Sequence, residues 1–282
     1  MTSPYHSGEI AVQTQVGVRA EAAKLGSIIS STIKPAAKDF LHQQRYAIAA
    51  TIGYSGVTTS LLTGKAEFLQ VIGDRTLKIN TAIDWELHSS AIGLLAIDLS
   101  TRRRLRINGK ITSKADSSIV IETQQVYFNC PKYIQLRSLI ADDSQQLTAS
   151  IQDSHHLNLK QQRWVAQSDT FFIASYAESS VDVSHRGGYP GFVQILDESL
   201  IFPDYAGNNM FNTLGNIFLN PNIALLFVDF EGGNTLQLTG KACINWDVDR
   251  LIKFNIEQVR EITHATNLRW QFIEYSSFNP VI

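Results

Sequence analysis

Ser184, His185 and Arg186 stand next to one another in the segment VSHRGGYPGFVQI, residues 183–195. A hydroxyl, an imidazole and a guanidinium together suit nucleophilic chemistry, anion binding or a simple turn. A serine hydrolase is disfavoured, because the flanking glycines of a G-x-S-x-G nucleophile elbow are missing. Neighbours on a strand also point to opposite faces, which keeps Ser184 and His185 from sharing a proton. An anion site and an exposed strand end remain as alternatives.

The composition argues against several classes of protein. The chain has 282 residues, 44% of them hydrophobic, which is enough for one large or two modest domains with a buried core. A formal charge of −2 gives no support for a nucleic-acid or membrane partner, since both need a basic face. Cys130 and Cys243 form no metal-binding or disulfide pattern. With no apolar run near about 20 residues and no secretory signal, the chain is expected to be soluble and cytoplasmic.

The sequence contains an internal repeat with two copies. Residues 93–111, GLLAIDLSTRRRLRINGKI, align without a gap on residues 224–242, and residues 50–71 align on residues 174–195. The two alignments have offsets of 131 and 124 residues. The second copy therefore carries an insertion, which we place in or near PDYAGNNMFNTLGN.

Both copies have the pattern of antiparallel β-structure. Apolar runs such as LLFVDF are followed by segments such as TLQLTGKACI, in which polar and apolar residues alternate. STRR (100–103) and EGGN (231–234) are typical of tight turns, and the links are too short for the crossovers of a parallel sheet. Each copy is predicted to be an antiparallel sheet that is closed, or partly closed, as a barrel.

Helical spacing occurs at three places. These are residues 17–33, the short segment 211–221 that stops at Pro221, and residues 247–265 with Asp247 as the cap. The polar segment between the copies is typical of a linker followed by a helix. We therefore expect helices to flank the barrels.

Three motifs resemble the split-barrel flavoproteins related to pyridoxamine 5'-phosphate oxidase. They are VDVSHRGGxPGF and PDYxGNxxFNTLGN in the second copy and NCPKYIQ (129–135) in the first. The set is most similar to two-copy bacterial members that bind FMN. The resemblance implies a mainly β chain with flanking helices, in which two tandem split barrels of antiparallel strands form an intramolecular pseudo-dimer. It divides the chain into a helical extension (1–40), a first barrel with a degenerate site (41–155), and a second barrel with the cofactor site and a C-terminal helix (156–282).

The resemblance also implies a cofactor and partners. FMN in this family lies between two barrels, so that one barrel holds the phosphate and the other covers the ring. Haem and deazaflavin are alternatives, because related split barrels use them. The expected partners are a small-molecule substrate or an electron donor such as NAD(P)H. The expected assembly is a monomer with an internal pseudo-dimer, or a homodimer.

Single residues match the family's motif in part. The basic pair that the oxidase carries before its Asn-Pro is replaced here by Asn212 and Thr213. Arg186 then becomes the expected cation for the phosphate, with His185 beside it. The candidate cofactor-binding residues are Ser184, His185, Arg186, Asn208, Asn209, Phe211, Asn212, Thr213, Asn129, Lys132 and Tyr133. For most of them, a strand end, a helix cap or a turn is the alternative role.

The first copy departs from the second at the candidate site. It has Leu61 and Leu62 where the second copy has His185 and Arg186, and its Asn-Pro is absent. The first copy is therefore expected to act as the covering partner. A dense basic run at residues 102–106 is interpreted either as a solvated hairpin or as a site for an anionic ligand or partner.

An FMN-dependent oxidoreductase of unknown substrate is the first functional hypothesis. A flavin carries the chemistry and needs few catalytic side chains, and the sequence singles out no catalytic residue and no metal ligand. A non-catalytic flavin or haem carrier on the same scaffold is the alternative, and a vestigial site is the third. Pyridoxamine phosphate is disfavoured as the substrate, because the basic pair is missing. An HxGE-like opening at residues 6–9 resembles the same bacterial group and has no assigned role.

Overall fold

The computed structural model describes residues 3–81, 85–142, 148–178, 180–247 and 250–281. Its strands form two large antiparallel sheets, one in each half of the chain. The first sheet comprises β1 (Tyr46–Gly53), β2 (Gly56–Thr63), β3 (Leu69–Gly73), β4 (Thr76–Asn80), β5 (Ala91–Asp98), β6 (Arg103–Ala115) and β7 (Ser118–Asn129). β8 (Leu136–Asp142) pairs with β17 (Leu268–Glu274) as a separate two-stranded ribbon. The second sheet comprises β9 (Ser150–Ser154), β10 (Thr170–Ala177), β11 (Ser180–Gly187), β12 (Gln194–Leu196), β13 (Ser199–Pro203), β14 (Asn222–Val228), β15 (Thr235–Asn245) and β16 (Leu251–Thr263).

Short helices flank the sheets, as expected. They are α1 (Ser7–Gln15), α2 (Arg19–Leu25), a 3-10 turn (Gly26–Ile28), α3 (Pro35–His42), α4 (Leu159–Gln167) and α5 (Asn212–Leu219). α5 confirms the helix predicted within residues 211–221, and α2 is shorter than the helix predicted for residues 17–33. None of the described helices is long and apolar enough to span a membrane.

The two sheets have the same strand order, which confirms the internal repeat. The order is β2-β1-β5-β6-β7-β4-β3 in the first sheet and β11-β10-β14-β15-β16-β13-β12 in the second. A bulge interrupts the pairing between Asn108 and Gly109 and, at the equivalent place of the second copy, between Thr239 and Gly240. β9 precedes the expected boundary near residue 155, yet it pairs with β16. The mainly β, two-barrel fold is confirmed, whereas the division of the chain into three segments stays a prediction.

The helix predicted over residues 247–265 is wrong. Most of that segment is β16, which pairs with β15. The register shifts at a bulge that leaves Glu257 as an extra residue. Because the bulge changes the phase of the alternation, Ile252 and Val259 are both buried at a spacing that imitates a helix. Val248 lies outside the described residues.

The two barrels pack against each other within the chain. β11 packs against β5 and β6 of the first sheet, and the equivalent strand β2 packs against β14 and β15 of the second. The buried cluster between them takes side chains from both copies, including Ile48, Leu95, Phe172, Val183 and Leu226. Removing this apolar surface from water favours the association. The intramolecular pseudo-dimer is therefore confirmed.

The N-terminal helices touch both barrels. α3 packs on β3 of the first barrel, whereas α1 packs on α5 of the second. The approach of α1 to α5 depends on two glycines, because a Cβ on Gly8 would lie 2.2 Å from the carbonyl oxygen of Gly215. Val12 of α1 is fully buried in the core of the second barrel. This docking places the HxGE-like opening next to the insertion of the second copy.

Candidate functional site

A cleft between the two barrels contains all the candidate cofactor-binding residues. Each of the eleven residues predicted from the sequence lines it, together with Arg104, Arg106 and Asp204. The cleft has about 880 Å³ of empty space, including open solvent at its mouth. The centre of a water molecule can occupy about 100 Å³ of this space. The cleft is thus narrow, a shape that suits a flat group. The role of these residues in cofactor binding stays a prediction.

Two arginines that the sequence analysis left out of the candidate set reach the cleft from the first copy. Side chains alternate along β6, so Arg104 and Arg106 share one face, while the guanidinium of Arg103 lies 5.0 Å from the ring centres of Phe40 and Phe128. Arg106 is 4% exposed. The solvated-hairpin interpretation is therefore wrong for Arg106, and the alternate spacing of the arginines was the signal for it. The first copy is more than a covering partner, because it supplies cations to the cleft.

A buried polar network holds Arg106. Its guanidinium donates to Asp182 (3.0 Å), to Tyr127 (3.3 Å) and to the hydroxyl of Ser184. The same hydroxyl lies 3.0 Å from the hydroxyl of Thr213. Ser184 therefore faces an arginine and a second hydroxyl, and none of its hydrogen-bond partners among the described residues is a base that could activate it, which fits a binding or supporting role.

Arg186 is paired with a carboxylate. Its Nη2 lies 3.1 Å from Oδ1 of Asp204, whose other oxygen lies 3.4 Å from Nε of Arg250. Asp204 is buried. Two guanidinium groups that share one carboxylate leave a net positive charge. The expected role of Arg186 in phosphate binding stays a prediction, with Asp204 as a competitor for the same side chain.

His185 is buried and uncharged. Nη1 of Arg104 lies 3.1 Å from its Nδ1, and because a guanidinium can only donate, Nδ1 accepts and the ring proton sits on Nε2. Burial, followed by the charges of Arg104, Arg137 and Arg186, holds the pKa of His185 well below its usual 6.5. Burial, followed by the charges of Arg106 and Arg186, lowers the pKa of Arg104 to about 10. Arg104 thus stays charged at neutral pH beside a neutral imidazole.

Two loops with strained backbone complete the cleft. The φ angle is 66° at Tyr133, 59° at Asn209 and 60° at Phe211, in the left-handed region that residues with a Cβ rarely adopt. The amide of Asn208 donates to the side-chain oxygen of Asn129 (3.1 Å) and ties the two loops together. Strained residues persist where the surroundings fix them, and they cluster at binding sites.

The remaining predicted residues of the first copy have partners near the mouth of the cleft. The ammonium group of Lys132 lies 5.6 Å from the ring centre of Phe278. The hydroxyl of Tyr133 donates to the carbonyl of Ala206 (2.9 Å), within the insertion of the second copy. Cys130 also lines the cleft. The NCPKYIQ motif therefore joins the two copies at this site.

The second copy matches a known family. Residues 157–271 match the family model described as Pyridoxamine 5'-phosphate oxidase. Over this segment, which is less than half of the chain, the protein is similar to the pyridoxamine 5'-phosphate oxidase family. The matched segment contains β10 to β16 and α5, and thus one side of the cleft. No curated protein sequence matches the chain, and the assignment to a two-copy bacterial group stays a prediction.

Three solved structures illustrate the similarity. They are an FAD-binding protein from Mesorhizobium loti (11% identity, TM-score 0.32, 41% of this chain and 99% of that one), a pyridoxinephosphate oxidase family protein related to general stress protein 26 from Clostridium acetobutylicum (14%, 0.30, 41% and 93%), and HupZ from Group A Streptococcus (16%, 0.28, 34% and 93%). Likenesses at these TM-scores carry no argument about what this chain binds.

The oxidase-related second copy receives a buried carboxylate from the N-terminal helix. The amide of Asn212 donates to Glu9, and its oxygen accepts from the hydroxyl of Tyr127 (3.3 Å). Glu9 also accepts from the backbone N–H of His6 (2.8 Å), which caps α1. Burial, followed by the charge of Asp182, raises the pKa of Glu9 to about 8. The HxGE-like opening thus supports a predicted site residue, a role that the sequence alone did not reveal.

Several buried donors around the cleft have no hydrogen-bond partner among the residues that the structure describes. They are Nε of Arg104, Arg106 and Arg186, Nε2 of His185, and Nδ2 of Asn129. An unsatisfied buried polar group is unfavourable by about 1–3 kcal/mol, and native structures contain few of them. Five such donors around one cleft indicate a ligand rich in hydrogen-bond acceptors.

The charge of the cleft is positive. The residues that line it include the cations Arg104, Arg106, Lys132 and Arg186 and one carboxylate, Asp204. This chain lacks the basic pair that the oxidase carries before its Asn-Pro. Cations from β6, from β11 and from the NCPKYIQ motif supply positive charge to the cleft instead. This balance favours an anionic ligand.

Proposed function

We propose that the chain binds FMN in the cleft between its two barrels and acts as an FMN-dependent oxidoreductase on a small molecule. The observation that carries the proposal is the coincidence of excess positive charge with five unpaired buried donors in one narrow cleft. FMN joins an anionic phosphate to a planar ring that carries acceptor atoms, and both parts match such a lining. The relation to the oxidase family agrees with this choice.

Different arginines would serve different purposes. Arg106 is already bonded to Asp182 and to two hydroxyls, so its task is to hold the wall of the cleft. Arg104 has a neutral imidazole as its partner, which leaves its charge available for the phosphate. Arg186 would contribute less, because Asp204 shares its charge.

Bound FMN would supply the hydride or electron transfer, with an electron donor such as NAD(P)H. The residues of the chain would bind the phosphate, orient the ring and keep water away. FMN is preferred over haem because of His185. Its Nδ1 accepts from Arg104 and its Nε2 carries the proton, so neither nitrogen offers a lone pair to iron.

The binding proposal is tested by the small molecule that co-purifies with the full chain. Mass spectrometry of that molecule should identify FMN. Arg104→Gln should weaken FMN binding by ten- to a hundredfold, the equivalent of about 1.5–3 kcal/mol for a charge-assisted hydrogen bond. Arg103→Gln is the matched control, because Arg103 neighbours Arg104 on β6 but faces Phe40. Equal FMN content in wild type and Arg104→Gln, or haem in place of FMN, would contradict the proposal.

The catalytic proposal needs a separate measurement. Addition of NAD(P)H to the flavin-loaded protein should bleach the flavin absorbance under nitrogen, and air should restore it. A flavin that resists reduction by any such donor would leave the carrier function as the better description. Sedimentation of the loaded protein should show whether one chain is enough, as the internal pairing of the barrels suggests.

A further inference from the structure

A second cavity lies beneath the two-stranded ribbon of β8 and β17. It is bounded by the ribbon, by α4 and by the turn between β14 and β15, and it opens widely to solvent; the centre of a water molecule can occupy about 860 Å³ of it. Trp164, Phe230 and Phe272 contribute aromatic side chains to its lining. We call it the ribbon cavity. None of the described residues lines both the ribbon cavity and the cleft between the barrels.

The ribbon cavity has unpaired polar groups in its wall. Arg137 of β8 places Nη2 at 2.7 Å from both carboxylate oxygens of Asp169, and its guanidinium lies over Phe230 (4.5 Å) and Phe272 (5.5 Å). Its side chain is 8% exposed, yet its Nη1 has no hydrogen-bond partner in the described part of the chain. The hydroxyl of Thr170, in the same wall, is also buried and unpaired. Buried polar groups are normally satisfied, so these two groups point to an absent hydrogen-bonding ligand.

The two copies differ at this place. α3 corresponds to α4 and the β5–β6 turn to the β14–β15 turn, so Phe40 corresponds to Trp164 and Arg103 to Asn234. In the first copy the guanidinium of Arg103 fills the space over Phe40, 5.0 Å from its ring centre. Asn234 is shorter and turns back to donate to Asp229 (2.8 Å). The first copy is filled where the second copy has a cavity.

Charge at the rim of the ribbon cavity differs between its two sides. Lys160 and Arg163 lie on the α4 side, and Asp229 and Glu231 lie on the turn side. Asp229 is engaged by two hydrogen bonds within its own turn, and Lys160 is paired with Glu261 (3.1 Å). Among the described residues, neither Arg163 nor Glu231 has an ion-pair partner, so the charges at the rim are balanced. The preference for an acceptor such as a carboxylate over an amine therefore rests on the unpaired Nη1 of Arg137.

We propose that the ribbon cavity binds a small planar aromatic carboxylate. The ring would rest among the side chains of Trp164, Phe230 and Phe272, where aromatic surfaces stack or meet edge to face. The carboxylate would accept from Arg137 and Thr170, whose unpaired groups are the ones that need a partner. This site does not rest on flavin binding.

Calorimetric titration of the full chain with benzoate tests the proposal, with acetate lacking the ring and benzamide lacking the charge. The wild type should bind benzoate saturably, at least tenfold more tightly than either. Asn234→Arg places a guanidinium where the first copy has one and should abolish binding, whereas Gln152→Arg adds the same charge on exposed strand β9 and should not. Thr170→Val removes an unpaired hydroxyl and should weaken binding about fivefold without lowering the melting temperature.

The outcomes that would overturn the proposal are distinct. One is that the wild type shows no saturable binding of benzoate. Another is that a folded Asn234→Arg protein still binds benzoate. If Asn234→Arg fails to fold, unchanged affinity in Thr170→Val overturns it. Loss of benzoate binding in Arg104→Gln would assign benzoate to the cleft between the barrels and would also overturn it. Flavin content measured on the same samples reports separately on the proposed function.

Discussion

Replacing Glu9 with Gln should make the stability of the protein less dependent on pH. Glu9 is 3% exposed, and burial, followed by the charge of Asp182, raises its pKa from 4.5 to about 8. Between these two values the folded protein holds a proton that the unfolded chain has lost, so a rise in pH favours unfolding. The stability contributed by protonated Glu9 is fully present below pH 4.5 and is lost as the pH rises through 8.

The magnitude follows from the size of the shift. One pKa unit corresponds to about 1.36 kcal/mol, and integration from pH 5 to pH 8 gives a loss of about 3.5 kcal/mol in the unfolding free energy of the wild type. Glu9→Gln should not lose this amount, because its amide does not titrate and its oxygen can still accept from Asn212. Glu9 lies on the terminal helix α1, which can detach while the rest of the protein stays folded. Once α1 detaches, ionisation of Glu9 no longer lowers the free energy of global unfolding, so the measured loss is then smaller than the calculated one.

Urea unfolding of both proteins at pH 5, 6, 7 and 8 is the assay. The difference in unfolding free energy between wild type and Glu9→Gln at each pH removes the contributions of the other titrating groups. Hydrogen exchange of the α1 amides detects undocking of the helix. Parallel stability profiles from pH 5 to 8, with no faster exchange of α1 at pH 8, would refute the reasoning. Such a result would mean that Glu9 ionises in place without penalty.

Gly215→Ala should destabilise the protein by about 1–3 kcal/mol, because the new Cβ would meet the backbone of α1 at Glu9. Gly207→Ala, where a Cβ has ordinary space, is the control, and equal melting temperatures would contradict the docking of α1. Phe171→Ala should lower the unfolding free energy by about 3–5 kcal/mol, since this buried ring packs against three other phenylalanines. Urea titration measures the change, and a loss below about 1 kcal/mol would be too small for a core residue. His185 should show no protonation in NMR spectra between pH 5 and 8, because burial and three arginines lower its pKa, and a titration midpoint in that range would be evidence of an open site.

Most of the fold was predictable because its signals are local. Alternating polarity, short apolar runs and turns repeat in both copies, and they predicted an antiparallel sheet in each copy; the common strand order was seen only in the structure. The error at residues 247–265 is also local in origin. A one-residue bulge at Glu257 changes the phase of burial along β16, and periodicity alone cannot separate that from a helix.

The chemistry of the site was predictable only in part, because its contacts are long-range. The resemblance supplied the residues of the cleft from motifs, but the pairing of Arg106 with Asp182 depends on how one sheet docks on the other. The contact of Glu9 with Asn212 joins residues 203 positions apart. No local pattern in the sequence indicates either contact. Each contact becomes visible only when the two copies and α1 are placed together.

The repeat also accounts for a single charged cleft. The cleft forms where β6 of the first copy meets β11 of the second, and the packing of the barrels repeats this meeting where β15 meets β2. At that equivalent place the sequence has Thr235 and Gln237 in the positions of Arg104 and Arg106, and uncharged Leu62 in that of Arg186. Arg106 and Arg186 are each paired with a carboxylate, so the unbalanced positive charge of the cleft comes from Arg104 and Lys132. A second cleft of this kind without an anionic ligand would be destabilising, because its like charges repel one another. The lining of this one cleft therefore comes from both copies, and we expect the arginines of β6 to contribute to ligand binding as much as the insertion of the second copy does.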